Sequence, residues 1–311
     1  MSVNSLHDAL PTSLGAHIER AGWKDVVRDY ISLTKPRVIS LLLFTTLAAM
    51  FIASNPAHRV TLPLFLAVAI GGYAAAGAAN AINMVIDRDI DQRMRRTTSR
   101  PTVTRRISWK NALAFAFSLE IISFSLLTCA ANVLTASLAL AGLLFYVFIY
   151  TLLLKRRTWH NIVIGGAAGA FPPLVGWAAV TGSLSPLAWY LFAIIFVWTP
   201  VHFWALALLI KDDYASAGVP MLPCVKGDRA TVVQIAIYMV ITVAMTLIPV
   251  VTEGLHSVYL VGAVLLNLIL AWKTVELYRE VTRPRASSLF HYSMLYLALL
   301  FLVMAIDRSL T

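Results

Sequence analysis

"GGYAAAGAANAINMVIDRDID", residues 71–91, is a run of small apolar residues that ends in three aspartates within five positions. About twenty apolar residues, wound as a helix, cross a hydrocarbon core of roughly 30 Å. Residues four apart share a helix face, so Asn83, Asp87 and Asp91 form one polar stripe, which Asn80 extends backwards. Asp89 points elsewhere and, with Arg88, meets water or a neighbouring loop. Carboxylates at a helix C-terminus oppose the macrodipole, and two on one face repel, so the arrangement needs a cation to offset it. An ordinary solvated helix end is the simpler account. Against it stands the chemistry of hard oxygen donors at this spacing, which suits Mg²⁺ bridging one or two carboxylates to substrate phosphates. The stretch reads as a membrane helix running into a metal and phosphate site.

The rest of the chain agrees with the membrane reading. Of 311 residues, 59% are hydrophobic and only 13% charged, with a mean hydropathy of +0.77. Apolar runs near 39–54, 61–86, 109–129, 132–154, 161–181, 187–210, 232–252, 256–276 and 289–306 predict an all-α polytopic protein of about nine transmembrane helices. The first run is short and is expected to extend back through Thr34–Arg37. Of the 25 Lys and Arg residues, 23 fall in segments 1–38, 87–110, 155–160, 211–231 and 273–288, all on one side; Arg59 and Arg308 remain. Lys and Arg in short loops stay in the cytoplasm, so the N-terminus is expected inside and the C-terminus outside. That sorting accounts for the net charge of +10, and nucleic-acid binding is not expected. Cys129 and Cys224 have no metal-type or disulfide spacing. Residues 14–33 carry a mixed apolar and charged pattern suited to an interfacial helix. The chain therefore divides into an N-terminal cytoplasmic segment, 1–33, and an intramembrane domain, 34–311.

A second acidic block follows the sixth span, in "HFWALALLIKDDYASAGVPMLP" (202–223), where Lys211 and Tyr214 flank Asp212 and Asp213. The loop after the fourth span, in "YTLLLKRRTWHN" (150–161), sets Tyr150, Lys155, Arg156 and Arg157 at the same membrane face. Arg95, Arg96 and Arg100 lie in the loop after the second span. Positive-inside bias alone explains such cations; their convergence with two acid clusters is what a diphosphate requires. Pro172, Pro173 and Pro200 lie within spans, where broken helices persist only beside protein or a cavity. His202 is the intramembrane histidine to watch, although such a residue is more often hydrogen-bonded packing. A transporter should carry its polar groups near the bilayer midplane. These sit at the inner ends of spans.

The blocks "NxxxDxxxD" at Asn83, Asp87 and Asp91, "MRRTTSRP" (94–101), "LKRRTWHNIVIGGAAGAFPPLVGW" (154–177) and "TPVHFWALAL…DDYASAGVPMLP" (199–223) together resemble the UbiA superfamily of intramembrane prenyltransferases. The resemblance covers roughly residues 30–306. It implies a helical bundle around a central cavity, Mg²⁺ held by two aspartate-rich motifs, and a prenyl diphosphate donor. Asn83, Asp87 and Asp91 match the first motif, Lys155 and Arg156 the central basic motif, and Asp213 with Tyr214 the second. The metal ligands so implied are Asn83, Asp87, Asp91, Asp212 and Asp213. Arg95, Arg96, Arg100, Lys211, Tyr214, Asn80 and Tyr150 are then expected to bind substrate. "TPVHFWALA" and "PMLP" resemble the branch that farnesylates haem, which implies farnesyl diphosphate and haem B as substrates and makes His202 a haem contact. That branch further implies a multi-pass protein of the inner (plasma) membrane, its site facing the cytoplasm, with a haem A synthase or an oxidase assembly factor as partner. A sister enzyme acting on an aromatic quinone or chlorophyll precursor is the alternative. The departure from the superfamily lies in the second motif, where adjacent Asp212 and Asp213 replace a DxxxD pattern.

Overall fold

The computed structural model describes residues 22–310, all of whose regular elements are helical. Twelve helices succeed one another: α1 (Trp23–Thr34), α2 (Pro36–Ala53), α3 (Leu62–Ile86), α4 (Arg88–Asp91), α5 (Trp109–Ala130), α6 (Val133–Leu144), α7 (Asn161–Thr181), α8 (Pro186–Leu209), α9 (Lys211–Ser216), α10 (Leu222–Thr252), α11 (Ser257–Arg279) and α12 (Arg283–Ser309). A π-helical segment, Phe145–Leu154, prolongs α6. Among the described residues nine helical stretches are long and apolar enough to cross a bilayer, and the protein is a multi-pass membrane protein.

Local chemistry sets the helix starts. Thr61, Ser108, Asn132 and Ser185 each accept a hydrogen bond from a backbone N–H in the first turn of α3, α5, α6 and α8. Pro36 and Pro186 stand at first helical positions, where the missing N–H costs nothing. Gly182, at φ 69°, closes α7.

Two boundaries and one interior feature differ from the sequence expectation. The first span does not run back through Thr34: Lys35 adopts φ 55° and breaks the chain between α1 and α2, because Pro36 starts a new helix. Residues 211–231, expected as a loop, fold into α9 and the start of α10, which kinks at Gly227, φ 81°. The helices α7 and α8 run through Pro172, Pro173 and Pro200 and are not broken there. Of the expected interfacial helix at 14–33, residues 14–21 lie outside the described residues. The remainder is α1, with Trp23, Val26, Val27 and Ile31 exposed and Leu33 buried.

Helices α7 and α8 have the most buried spans, 67% and 56%, and form the middle of the bundle. On one side α2, α3 and α6 close around α7, with α5 packed on α3 and α6; on the other α10 and α12 pack on α8, with α11 packed on both of them. Small residues permit the close crossings. A Cβ at Gly176 of α7 would overlap the Thr46 carbonyl of α2, and one at Gly165 would overlap the Tyr150 ring. Between α2, α3, α6, α7 and α8 lies a cavity of about 290 Å³, lined mostly by aliphatic and aromatic side chains.

Candidate active site

The polar stripe on α3 survives a change of helix. The chain leaves α-helical geometry at Asp87, φ −85° and ψ 6°, and α4 begins at Arg88. Yet Asp87 N–H donates to the Asn83 carbonyl and Asp91 N–H to the Asp87 carbonyl, each at 2.9 Å, so the four-residue register holds. Asn83, Asp87 and Asp91 therefore face one way, and all are buried, at 3%, 0% and 1% exposure.

Burying two carboxylates is costly unless cations and donors surround them. Asp87 Oδ2 accepts from Lys155 Nζ and from Asn83 Nδ2 at 2.6 Å; Arg156 lies 3.6 Å from its Oδ1. Asp91 Oδ2 accepts from Arg100, whose loop folds back because the Thr97 hydroxyl donates to the Asp91 carbonyl at 2.8 Å. Buried Met94 and Ile107 anchor the same loop. Asp89 lies outside the stripe, exposed, and takes both arms of the Arg156 guanidinium at 2.7 Å. That pairing holds its carboxyl below the usual range.

Two residues join this group that the sequence reading missed. Lys35 Nζ donates to Asn83 Oδ1 at 3.0 Å, and burial, with Arg100 and Lys155 close by, pulls its ammonium down to about 7. The signal was the cation in "TKPR", directly before the proline that opens a span. Thr151 Oγ1 accepts from Asn83 Nδ2 at 3.2 Å. It is aimed there by the π-helical segment, whose wider turn links Thr151 Oγ1 to the Tyr146 carbonyl and Lys155 N–H to the Tyr150 carbonyl, five residues back in each case.

The second acidic block is built differently. Asp212 is exposed. Asp213 accepts the Arg96 backbone N–H at 3.5 Å and lies 4.0 Å from Arg95 Nε, while the Ser216 hydroxyl donates to the Arg93 carbonyl at 3.1 Å. These contacts tie α9 to the loop over the first block. Tyr214 is buried beside Arg96, and burial raises its phenol. Lys211 turns away to Asp228 at 2.7 Å. Asn80 donates to the Thr34 carbonyl at 3.0 Å and also lines the cavity, as do Tyr150, stacked on Tyr146, and His202.

Asp87 Oδ1 and Asp91 Oδ1 are buried oxygens without any hydrogen-bond donor. Such orphans fit a hard divalent cation, which takes oxygen ligands and needs only one or two carboxylates when phosphates and waters complete its shell. No group of three or more His, Cys, Asp or Glu side chains suited to a metal occurs among the described residues. A metal here would therefore share its shell with a ligand.

A profile of the UbiA prenyltransferase family matches residues 42–302. The chain belongs to that family. Several relatives carry the name protoheme IX farnesyltransferase. One, from Thermus thermophilus, is 63% identical over 282 residues, covering 91% of this chain and 46% of the relative. The chain thus spans about half the length of that protein. Another, from Deinococcus radiodurans, is 51% identical over 319 residues, with 99% of each chain covered. Solved structures of the UbiA family share the fold. A structure described for digeranylgeranylglyceryl phosphate synthase in membranes superposes with a TM-score of 0.75 at 18% identity, covering 92% of this chain and all of that one. A UbiA homologue from Archaeoglobus fulgidus bound to DMAPP and Mg²⁺ gives 0.63 at 17% identity, covering 89% and 99%.

Proposed function

We propose that this protein transfers the farnesyl group of farnesyl diphosphate to the 2-vinyl group of haem B, with addition of water, giving haem O. The observation that carries the donor half is the pair of buried aspartates with unbonded oxygens, ringed by Lys35, Lys155, Arg156 and Arg100 beside an apolar cavity. Such a site suits a ligand that is polyanionic at one end and hydrocarbon at the other. The acceptor reading is supported by the names of relatives at 51% and 63% identity.

Asn83, Asp87 and Asp91 would hold Mg²⁺ together with the diphosphate; a divalent metal is supported by the Archaeoglobus fulgidus homologue bound to DMAPP and Mg²⁺. When bound, Mg²⁺ supplies positive charge against the diphosphate oxygens. Asp213 would complete the set from α9, with Asp212 at its margin. The residues of the chain do the rest. Lys155, Arg156 and Arg100, now paired with carboxylates, turn part of their charge to the anion, and Arg95 and Arg96 cap it from the loop. As the allylic C1–O bond ionises, its electron pair leaves with the diphosphate, whose growing charge these cations offset. The cavity wall keeps bulk water from the allylic cation, and the stacked rings of Tyr146 and Tyr150 offer it their faces. The vinyl π electrons form the new C–C bond. Water adds to the resulting cation and loses a proton, which balances the reaction without a Ser or Cys nucleophile. His202, on the cavity wall, is assigned to the haem.

The distribution of Lys and Arg supports a cytoplasm-facing mouth in the plasma membrane, and a haem A synthase or oxidase assembly factor is the class of partner that would take the product. Purified protein in nanodiscs with haem B, farnesyl diphosphate and Mg²⁺, read by mass spectrometry, tests the proposal. Haem O that disappears on chelation is the expected product. Diphosphate release only when a quinone-type aromatic acid replaces haem would overturn the acceptor and keep the donor site.

A further inference from the structure

His202 of α8 lines the cavity, whereas Ser293 of α12 is fully buried behind it and does not. Their contact determines which ring nitrogen carries the proton. The Ser293 hydroxyl donates to the Phe290 carbonyl at 2.7 Å, one turn back on its own helix. The same oxygen lies 2.8 Å from His202 Nδ1. A hydroxyl has one proton, so with that proton on the carbonyl only its lone pairs face the imidazole, and Nδ1 must donate. In the neutral imidazole this tautomer leaves the electron pair on Nε2.

The ring is also fixed in orientation. It stacks on Trp198 at 4.6 Å and 13° and on Phe290 at 4.8 Å and 24°. Trp198 Nε1–H donates to the Ser293 carbonyl at 3.0 Å, tying the stack to the residue that sets the tautomer. Among the described residues His202 Nε2 has no hydrogen-bond partner. A histidine whose one nitrogen donates to a hydroxyl or carbonyl while the other is bare is the arrangement that metal-ligating histidines use.

We infer that Ser293 is a positioning residue: its hydroxyl holds His202 as the Nδ1–H tautomer, so that Nε2 offers its electron pair to the iron of the acceptor porphyrin. The inference rests on the haem reading above. It adds the ligating atom, its protonation state and the residue that controls both. No bond is formed or broken in the porphyrin; the iron is held, and with it the vinyl group is kept at a fixed place in the cavity.

The test is made on the full-length protein in nanodiscs. Haem B titrated into the wild type is expected to give the absorption and electron-spin signature of imidazole-ligated iron, lost in His202→Ala. Ser293→Ala frees Nδ1, and haem affinity is expected to fall about tenfold, within the range for loss of a partner behind a metal ligand. Ser293→Thr, which keeps the hydroxyl, is expected to restore the wild-type spectrum and affinity. Binding of an unreactive farnesyl diphosphate analogue should be unchanged in both. A second reading needs no variant beyond a control: with ¹⁵N-histidine and His202→Ala as the subtraction, the His202 resonances of the haem-free wild type should show a proton on Nδ1 and none on Nε2. Wild-type haem affinity and spectrum in Ser293→Ala, or a proton on Nε2, would overturn the inference. A wild type that neither binds nor farnesylates haem would instead remove the acceptor reading, and the iron ligand with it, even if the ¹⁵N result stands.

Discussion

The two acidic blocks of this protein have similar composition and opposite physics. Asp87 and Asp91 are buried at 0% and 1% exposure, and each faces a cation. Asp212 is exposed, and Asp213 reaches only a backbone N–H and a distant guanidinium. The difference arises in the chain just beyond each helix. After α3 the chain keeps its hydrogen-bond register through Asp87, and the Thr97 and Thr102 hydroxyls fold the next loop over the carboxylates. After α8 the chain breaks at Ile210, and α9 follows with Asp212 exposed and Asp213 half-buried. A desolvated carboxylate interacts strongly with a metal or a cation, while an exposed one is screened by water. On that ground we propose that the first block carries the diphosphate chemistry, with Asp213 joining it from α9 and Asp212 at its margin.

The largest effect should come from the first block. Asp87→Asn and Asp91→Asn, each removing one carboxylate charge at nearly constant shape, are expected to lower kcat by about 10² or more. Steady-state kinetics with correctly inserted protein would check this, and activity within tenfold of wild type would undo the distinction between the blocks. Lys155→Ala leaves Asp87 buried without its ammonium and should destabilise the protein by roughly 3 kcal/mol, read by thermal unfolding in detergent. Adding Asp87→Asn to that variant should recover much of the stability and none of the activity. If the double variant is no more stable than the single, the pair does not carry the local electrostatics.

Smaller effects belong to the second block and to the margin of the first. Asp213→Ala loosens α9 from the Arg93–Arg96 loop and should raise KM for farnesyl diphosphate several-fold with a lesser effect on kcat. Asp89→Ala frees Arg156 but leaves both buried carboxylates in place, so its loss should fall below that of either. Asp212→Ala and Lys211→Ala should lie near wild type, since Lys211 pairs with Asp228 away from the group. A ranking in which Asp212 outweighs Asp87 or Asp91 would show that exposure is the wrong criterion.

Much of the fold and of the first block's geometry was legible in the sequence; the contrast with the second block was not, because spacing does not report burial. Apolar run lengths gave the nine spans, and four-residue spacing separated Asp87 and Asp91 from Asp89, because both are local properties of a helix. Asn83 was legible as a neighbour of the carboxylates from the same four-residue spacing, and Lys155, Arg156 and Arg100 from their charge and depth. Lys35 and Thr151 were not, for different reasons. Lys35 depends on a single residue at φ 55° that no periodicity reports. Thr151 depends on a π-helical turn that in sequence is indistinguishable from the α-helical run before it. The helical start of α10 was hidden because Lys226, Asp228 and Arg229 interrupt the apolar run. Ser293 carried no signal, since its meaning lies in a contact with a residue 91 positions away.

The central claim is that the diphosphate and its metal bind at the buried block. The most direct measurement is calorimetric binding of an unreactive farnesyl diphosphate analogue, with and without Mg²⁺, to the wild type, Asp91→Asn and Asp212→Asn. The account predicts Mg²⁺-dependent binding in the wild type and in Asp212→Asn, and loss of the Mg²⁺ dependence in Asp91→Asn. Mg²⁺-dependent binding that survives in Asp91→Asn and disappears in Asp212→Asn would contradict it.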